Sequence, residues 1–279
     1  MILVTGANGF VGRHVGEALL GADQEVLLMS RTARSGYVVA DLCKDSLDEL
    51  PWGRITSVIH CAAAIPGRAD NFAETNSEGT RRLLERLLTR NMRSFVLLSS
   101  VSIYVIDRQA VKVDLHEDTS AKSVEAYGRS KQEQEQLVTS FCQGHIPCAI
   151  FRPSSIFGKG NTSFTVLPVF CDRASRNEHI TLKGPRRYCQ NFVYVGDVSS
   201  LVVSAALGAV DGVFNLFSPN TLSLDQLARK IIHALESKSR VGDERTDDPY
   251  PCVEFHAERL NDRFSHTFVD FETAIHESC

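Results

Sequence analysis

Three glycines spaced three residues apart, Gly6, Gly9 and Gly12, separate a short apolar run from a helical pattern. Residues 1–5 (MILVT) read as a short buried strand. Residues 11–21 read as a helix, with Val11, Val15, Ala18 and Leu19 on one face. In such a strand–turn–helix the first glycine permits a tight turn. The second lets backbone approach a pyrophosphate, and the third lets the helix pack closely on the strand. Free N–H groups and the dipole at the helix start favour phosphate there. The loop Gly6, Ala7, Asn8, Gly9, Phe10, Val11, Gly12 therefore predicts a dinucleotide site, against the alternative of a purely structural turn.

Further strands are expected at 25–29, 36–40, 57–61, 94–98 and 147–151. Helices are expected from about Asn76 to Arg90 and from Val124 to Cys142. Uninterrupted apolar strands alternating with helices predict a parallel sheet covered on both faces. Beyond Pro153 the pattern breaks: 158–191 reads as loop-rich, 192–195 and 213–216 as strands, 223–236 as a helix, and 237–251 as polar. The expected fold is α/β, a Rossmann-type doubly wound parallel sheet with a small C-terminal substrate-binding cap. The core spans 1–153, with 192–216 returning to it, and the cap takes 154–191 and 217–279.

Composition narrows the partners. Net charge is −4, with 30 Lys+Arg against 34 Asp+Glu and no basic stripe, so nucleic acid is not expected. The apolar runs are too short for a transmembrane helix, so no membrane partner is expected. Met1 leads straight into a strand, which does not read as a signal peptide, and a cytoplasmic location is expected. The eight cysteines form no CxxC pair and are expected as scattered reduced thiols. The nine histidines show no HxxxH or HExxH spacing, so no metal is expected.

A second signal is Tyr127-Gly128-Arg129-Ser130-Lys131. Tyr and Lys four apart share a helix face. A nearby ammonium favours the phenolate, so the pair can move a proton at neutral pH while a hydride moves at a nicotinamide. Together with the Gly-x-x-Gly-x-x-Gly spacing, these residues resemble the extended short-chain dehydrogenase/reductase family, the NAD(P)-dependent epimerases and dehydratases. The resemblance runs through roughly the first 235 residues.

The resemblance implies several further roles. Ser99-Ser100-Val101-Ser102-Ile103-Tyr104 is similar to the family pattern SSxxxYG, with Val105 in place of its glycine. Ser100 becomes the catalytic hydroxyl beside Tyr127 and Lys131. Ser99 is placed near the cofactor and Ser102 near the substrate; both also fit as ordinary turn hydroxyls. Asp41-Leu42 resembles the pair that contacts adenine, Ala62, Ala63 and Ala64 leave room beside the cofactor, and Asn76 lies behind it or acts as an N-cap. Phe151-Arg152-Pro153-Ser154-Ser155-Ile156-Phe157-Gly158 resembles the RPxxxxG segment beside the nicotinamide, which brings in Pro153 and Ser155. Phe192 to Val198 resembles an FVxVxD segment, before which Gln190 stands where nucleotide-sugar enzymes carry an arginine. Arg186 and Arg187 could substitute, or face water as a solvated loop. Asn161 and Gln190 complete the candidate substrate residues.

The end of the second strand carries an acid in NAD enzymes, where it bonds the ribose 2′-hydroxyl. Here it carries Ser30 and Arg31, a hydroxyl and a guanidinium that suit a 2′-phosphate. Arg34 and Arg13 could add charge, so NADP is favoured over NAD; the alternative is that Arg31 is a solvated loop residue. Dehydratases of the family place Asp-Glu after the catalytic hydroxyl, where this chain has Val101 and Ser102, and Val101 cannot carry a proton. The reading is a ketoreductase or dehydrogenase acting on a small-molecule carbonyl, typically a sugar nucleotide. The alternatives are a 4-epimerase with tightly bound NAD and a catalytically silent NADP-binding regulator or sensor. The resemblance also implies a homodimer through the helices near 77–90 and 124–142. Leu83, Leu87 and Leu137 serve either that contact or the monomer core.

Overall fold

The computed structural model describes residues 1–68, 70–88, 91–162 and 165–279. In chain order its elements begin with β1 (Ile2–Thr5), α1 (Phe10–Gly21), β2 (Val26–Ser30), β3 (Tyr37–Val39), β4 (Ser57–His60), α2 (Gly79–Glu85) and β5 (Ser94–Leu98). There follow β6 (Lys112–Leu115), α3 (Ala126–Cys142), β7 (Cys148–Pro153), β8 (Ser155–Phe157), α4 (Val166–Ser175), β9 (Ile180–Pro185), β10 (Cys189–Tyr194) and α5 (Val195–Leu207). The chain continues through β11 (Gly212–Leu216), β12 (Thr221–Ser223), α6 (Leu224–Ala234), β13 (Val241–Thr246), β14 (Cys252–Phe255), α7 (Glu258–Arg263) and α8 (Phe271–Ser278).

Two compact units result. The first comprises Met1–Val105, Ser120–Arg152 and Ser199–Phe214, and the second Ile106–Thr119, Pro153–Val198 and Asn215–Cys279.

The first unit is organised by a seven-stranded sheet of order β11-β7-β5-β4-β1-β2-β3. The β1–β2, β2–β3, β1–β4, β4–β5 and β5–β7 pairs are all parallel. Strands β1, β4 and β7 are buried at every residue, which is why they read as continuous apolar runs rather than alternating ones. The order 3-2-1-4-5 is that of the Rossmann fold and reverses direction between β1 and β4, the point at which such sheets open a ligand crevice. An apolar cluster in this unit includes Leu3, Met29, Trp52, Phe95, Val138 and Ile150.

The expected helix at 76–90 is divided. Ala73–Glu78 is a π-helical stretch, α2 follows, and the expected end at Thr89 and Arg90 lies outside the described residues. Leu83 (0% exposed) and Leu87 (1%) belong to the core, so they are not available to a dimer face.

The second unit holds three small sheets: β12-β10-β8, β13-β9 and β14-β6. The loop-rich reading of 158–191 is corrected by α4 and β9. The short stripe Leu167, Phe170, Cys171 and Ala174 is buried against the apolar face of α6. The polar 237–251 contains β13, an exposed strand that pairs in parallel with β9, so polarity there marks an edge rather than a loop. Residues 199–214 lie in the first unit, whereas 192–198, expected there, lie in the second because β10 pairs with β8 and β12. Residues 106–119, placed within the core by sequence, also lie in the second unit, through pairing of β6 with β14. Cys171 and Cys279, expected as free thiols, form a disulfide across a separation of 108 residues that no spacing rule reveals. Among the described residues, no helix is long and apolar enough to cross a membrane.

Candidate active site

The turn after β1 is built on close backbone contact. Gly6 has φ +65°, and a Cβ there would lie 2.7 Å from Ala62 Cα. A Cβ on Gly12 would lie 2.3 Å from the carbonyl oxygen of Gly6. Both positions therefore exclude any side chain. Gly9 caps α1, whose first internal bond runs from Arg13 N–H to Gly9 O (3.1 Å), so the N–H groups of Phe10, Val11 and Gly12 precede the helical ladder. A cavity of about 250 Å3 opens at this switch point. Gly6, Asn8 and Gly9 line it from the β1 side and Cys61, Ala62 and Ala63 from the β4 side. Ser30, Arg31, Asp41 and Leu42 close its far end.

These residues fit a dinucleotide. The glycine cradle would be filled by any Cβ, and Ser99 Oγ is buried without a partner among the described residues. At the β2 end no carboxylate stands at position 30. Ser30 is buried and its hydroxyl donates to Thr32 O at 2.5 Å, closing the turn that exposes Arg31. Arg34, expected as spare charge, donates to Asn8 Oδ1 (2.9 Å) and lies 5.1 Å from the Tyr37 ring centre. Asn8 in turn donates to Thr32 Oγ1 (2.9 Å). Asp41 Oδ1 accepts the Cys43 N–H (2.8 Å), fixing the strand-end turn. Burial pushes the Cys61 thiol up to about 12, so it lines the cavity as a neutral group.

The reacting residues come from β5 and α3. Ser100 follows β5 and caps a 3-10 turn, Val101–Ile103, through the Ser102 N–H (3.1 Å). Its hydroxyl lies beside the Tyr127 phenol at the start of α3, close enough to lower that phenol's pKa. Gly128 has to be glycine: a Cβ would meet Ser123 Oγ at 2.1 Å and Ser102 O at 2.3 Å. Burial holds the Tyr127 phenol above its usual value, and the Ser100 hydroxyl opposes this more weakly. The Lys131 ammonium, expected to favour the phenolate, is engaged elsewhere in this arrangement. Lys131 donates to Leu98 O (2.7 Å) and to Gln134 Oε1. Burial lowers its pKa to about 8, with Glu135 pulling back upwards.

Behind Lys131 runs a buried network that the sequence reading missed. Gln134 Nε2 donates to Thr80 Oγ1 (2.7 Å), and Thr80 donates its one proton to Asn76 O (2.6 Å). His60 Nε2, 2.8 Å from Thr80 Oγ1, must therefore carry a proton, and Thr5 donates to His60 Nδ1 at 2.6 Å. Burial, then the Lys131 ammonium, lower the His60 pKa to about 3. Asn76, offered also as an N-cap, does not cap a helix. It lies inside the π-helical stretch, accepts from Ala64 N (2.7 Å) and donates to Ala64 O (3.1 Å) and Ser130 Oγ (2.9 Å). Its amide holds the alanine segment to α3 and acts through both. Beyond Lys131, Glu135 pairs with Arg152, which also donates to Tyr104 Oη (2.8 Å). A charged residue in the fully buried β7 was the available signal for that pair.

The second unit holds the remaining candidates. Pro153 ends β7 and is buried; Ser155 begins β8 and accepts from Gln190 Nε2. Gln190 Oε1 also accepts from Tyr188 Oη (3.0 Å), and Asn161 donates to Ile156 O (3.0 Å). Arg186, expected as a substitute diphosphate grip, is instead paired with Asp243 (2.6 Å) and Asp247 (3.3 Å) on and after β13, and these carboxylates raise its pKa. Asp197 of the FVxVxD segment bonds His266 Nε2 (2.9 Å) and Val269 N (3.2 Å), fixing the segment that leads into α8.

Over residues 2–216 the chain matches the family described as the NAD dependent epimerase/dehydratase family. A Methanocaldococcus jannaschii protein provisionally named UDP-glucose 4-epimerase is 27% identical over 256 residues, covering 84% of this chain and 82% of that protein. The dTDP-D-glucose 4,6-dehydratase of Dictyostelium discoideum is 25% identical over 268 residues, 83% of this chain and 61% of its own length. Among solved structures, a UDP-glucuronic acid 4-epimerase from Bacillus cereus, in complex with UDP-glucuronic acid and NAD, superposes with a TM-score of 0.84. That match is 18% identical and covers 99% of this chain and 97% of the other.

Proposed function

Because the chain belongs to the NAD dependent epimerase/dehydratase family, we propose that it interconverts an alcohol and a carbonyl on a sugar nucleotide, with Ser100, Tyr127 and Lys131 as the reacting set. The observation that carries this reading is the Ser100 hydroxyl beside the Tyr127 phenol, with Lys131 buried one helical turn further along α3. Bound in the crevice, a nicotinamide supplies or removes the hydride. Ser100 orients the substrate oxygen. Tyr127, protonated in this arrangement, gives its proton to a carbonyl oxygen in the reductive direction and takes one from a hydroxyl in the other. Lys131 provides the positive charge that lowers the cost of the phenolate. In this reading the first unit holds the dinucleotide and the second the sugar nucleotide. Two copies associate through α2 and α3, with the exposed Leu88 and the half-buried Leu137, which also packs on the core, at the contact.

Ser30 and Arg31 favour NADP, since the turn carries a hydroxyl and a guanidinium in place of an acid. NADP in turn favours net reduction, with release of the oxidised cofactor. The likeness to a protein named as a 4-epimerase favours a second reading, a closed cycle with retained NAD. Analysis of the cofactor in the purified protein separates the two. Exchangeable NADPH with net oxidation by a keto-sugar nucleotide supports the reductase; firmly held NAD without net turnover supports the epimerase. Tyr127→Phe is expected to lose nearly all activity while binding cofactor as before. Undiminished activity in that variant overturns the catalytic assignment, and cofactor binding without turnover of any carbonyl or sugar nucleotide leaves the silent regulator.

A further inference from the structure

The parallel register of β6 and β14 pairs Lys112 with Cys252 and Asp114 with Glu254. The ladder continues past the strand ends, where the His256 N–H donates to Leu115 O at 3.1 Å. Alternate residues share a face, so one face carries Lys112, Asp114 and His116 beside Cys252, Glu254 and His256. His116 and His256 stack with ring centres 3.9 Å apart and planes at 19°. His256 Nε2 lies 2.9 Å from Asp114 Oδ1.

We propose that Asp114, His116 and His256 bind a divalent transition ion of the zinc class. One ligand atom from each residue lies within 4.8 Å of the other two. Ligands held at about 2.1 Å from a tetrahedral ion sit roughly 3.4 Å from one another, so the set has to close by no more than about 1.4 Å. Two imidazoles and a carboxylate suit zinc, copper or nickel rather than magnesium or calcium.

The surroundings match those of a ligating histidine, whose second ring nitrogen is normally held by an acceptor. His256 Nδ1 lies 3.1 Å from Glu258 Oε1, and the same carboxylate is 3.9 Å from His116 Nδ1. Lys112 Nζ holds Asp114 (3.1 Å) and Glu254 (2.9 Å), limiting repulsion between the carboxylates. The side chains of His116, Asp114 and His256 are 47%, 38% and 24% exposed, so an ion can enter from solvent. No sequence spacing announces the cluster, because 142 residues separate Asp114 from His256.

The test is equilibrium dialysis of the chelator-stripped full chain against Co2+ alone, followed by the visible spectrum. One Co2+ per chain is expected, with d–d bands and no thiolate-to-cobalt charge-transfer band. His116→Ala, at an exposed position, is expected to keep the circular dichroism of the parent. Its Co2+ affinity should fall by about 100-fold, at the upper end of the loss that even an outer partner brings. Asp114→Asn should weaken binding and Cys252→Ser should leave it unchanged. Sub-stoichiometric binding, unchanged affinity in His116→Ala, or a charge-transfer band that disappears in Cys252→Ser would overturn the site.

Discussion

Glu135→Ala tests the energetics of α3 against β7 directly. Arg152 and Glu135 are each 7% exposed. The guanidinium grips the carboxylate twice, Nε to Oε1 at 3.0 Å and Nη2 to Oε2 at 2.7 Å. Removing the acid leaves a buried cation without its carboxylate, while the bond to the Tyr104 hydroxyl stays. Breaking such a pair costs about 3–5 kcal/mol, a large share of the roughly 5–15 kcal/mol that stabilises a folded protein. At about 2–4 °C per kcal/mol for a large domain, the melting temperature should fall by roughly 10 °C. Removing both charges in Glu135→Leu/Arg152→Met should restore most of the loss, because no buried ion then remains to be desolvated. The same carboxylate raises the Lys131 pKa, which burial sets at about 8. Activity should therefore fall as pH rises through about 8, and Glu135→Gln should move that fall to lower pH. Thermal melts at pH 7 and a pH–rate profile read both effects. A Glu135→Ala melt within about 2 °C of the parent, under ~1 kcal/mol, or a double variant no better than the single, would refute the reasoning.

Burial holds the His60 pKa at about 3 in the folded chain, against the ordinary imidazole value of 6.5 when unfolded. Between those values the unfolded chain binds more protons, so stability should decline as pH falls from about 6.5 towards 3. His60→Gln should flatten that slope in acid denaturation, whatever its effect at neutral pH; an unchanged slope would place the acid sensitivity elsewhere. Gly12→Ala forces a backbone shift against the Gly6 carbonyl, and dinucleotide affinity measured by fluorescence titration should drop by about 100-fold. Binding as in the parent would mean the cradle relaxes freely. Arg31→Ala should weaken NADPH about tenfold or more, the loss of one charge-assisted bond of ~1.5–3 kcal/mol, and leave NADH unchanged. An equal loss for both would mean that Arg31 does not read the 2′-phosphate.

The parallel sheet was legible because its strands are buried on both faces and so appear as unbroken apolar runs between helices. The glycine cradle was legible because its geometry is local, contained within seven consecutive residues. What escaped is non-local. The chain of hydrogen bonds from Lys131 through Gln134 and Thr80 to His60 joins α3, α2 and β4, and no periodicity encodes it. Asn76 had the type and place of a cap, but an amide with two donors and an acceptor was already fully used by Ala64 and Ser130. Arg186 had the charge for a diphosphate, but β13, hidden in a polar stretch, supplies Asp243 to neutralise it. Leu83 and Leu87 could face a partner or the core on pattern alone; in the fold both are buried in the core cluster.

The interleaving of the two units has a consequence for synthesis. The chain leaves the first unit after Val105 and supplies its last stretch at Ser199–Phe214, which carries the start of β11, the edge strand beside β7. At roughly 5–20 residues per second on the ribosome, about 3–12 s pass between the emergence of β7 and that of β11. Through that interval β7 lacks its outer neighbour, and its unpaired backbone and apolar face are open to wrong partners. Yield in cells should then depend on translation speed and chaperone supply more than the finished protein's stability alone would indicate.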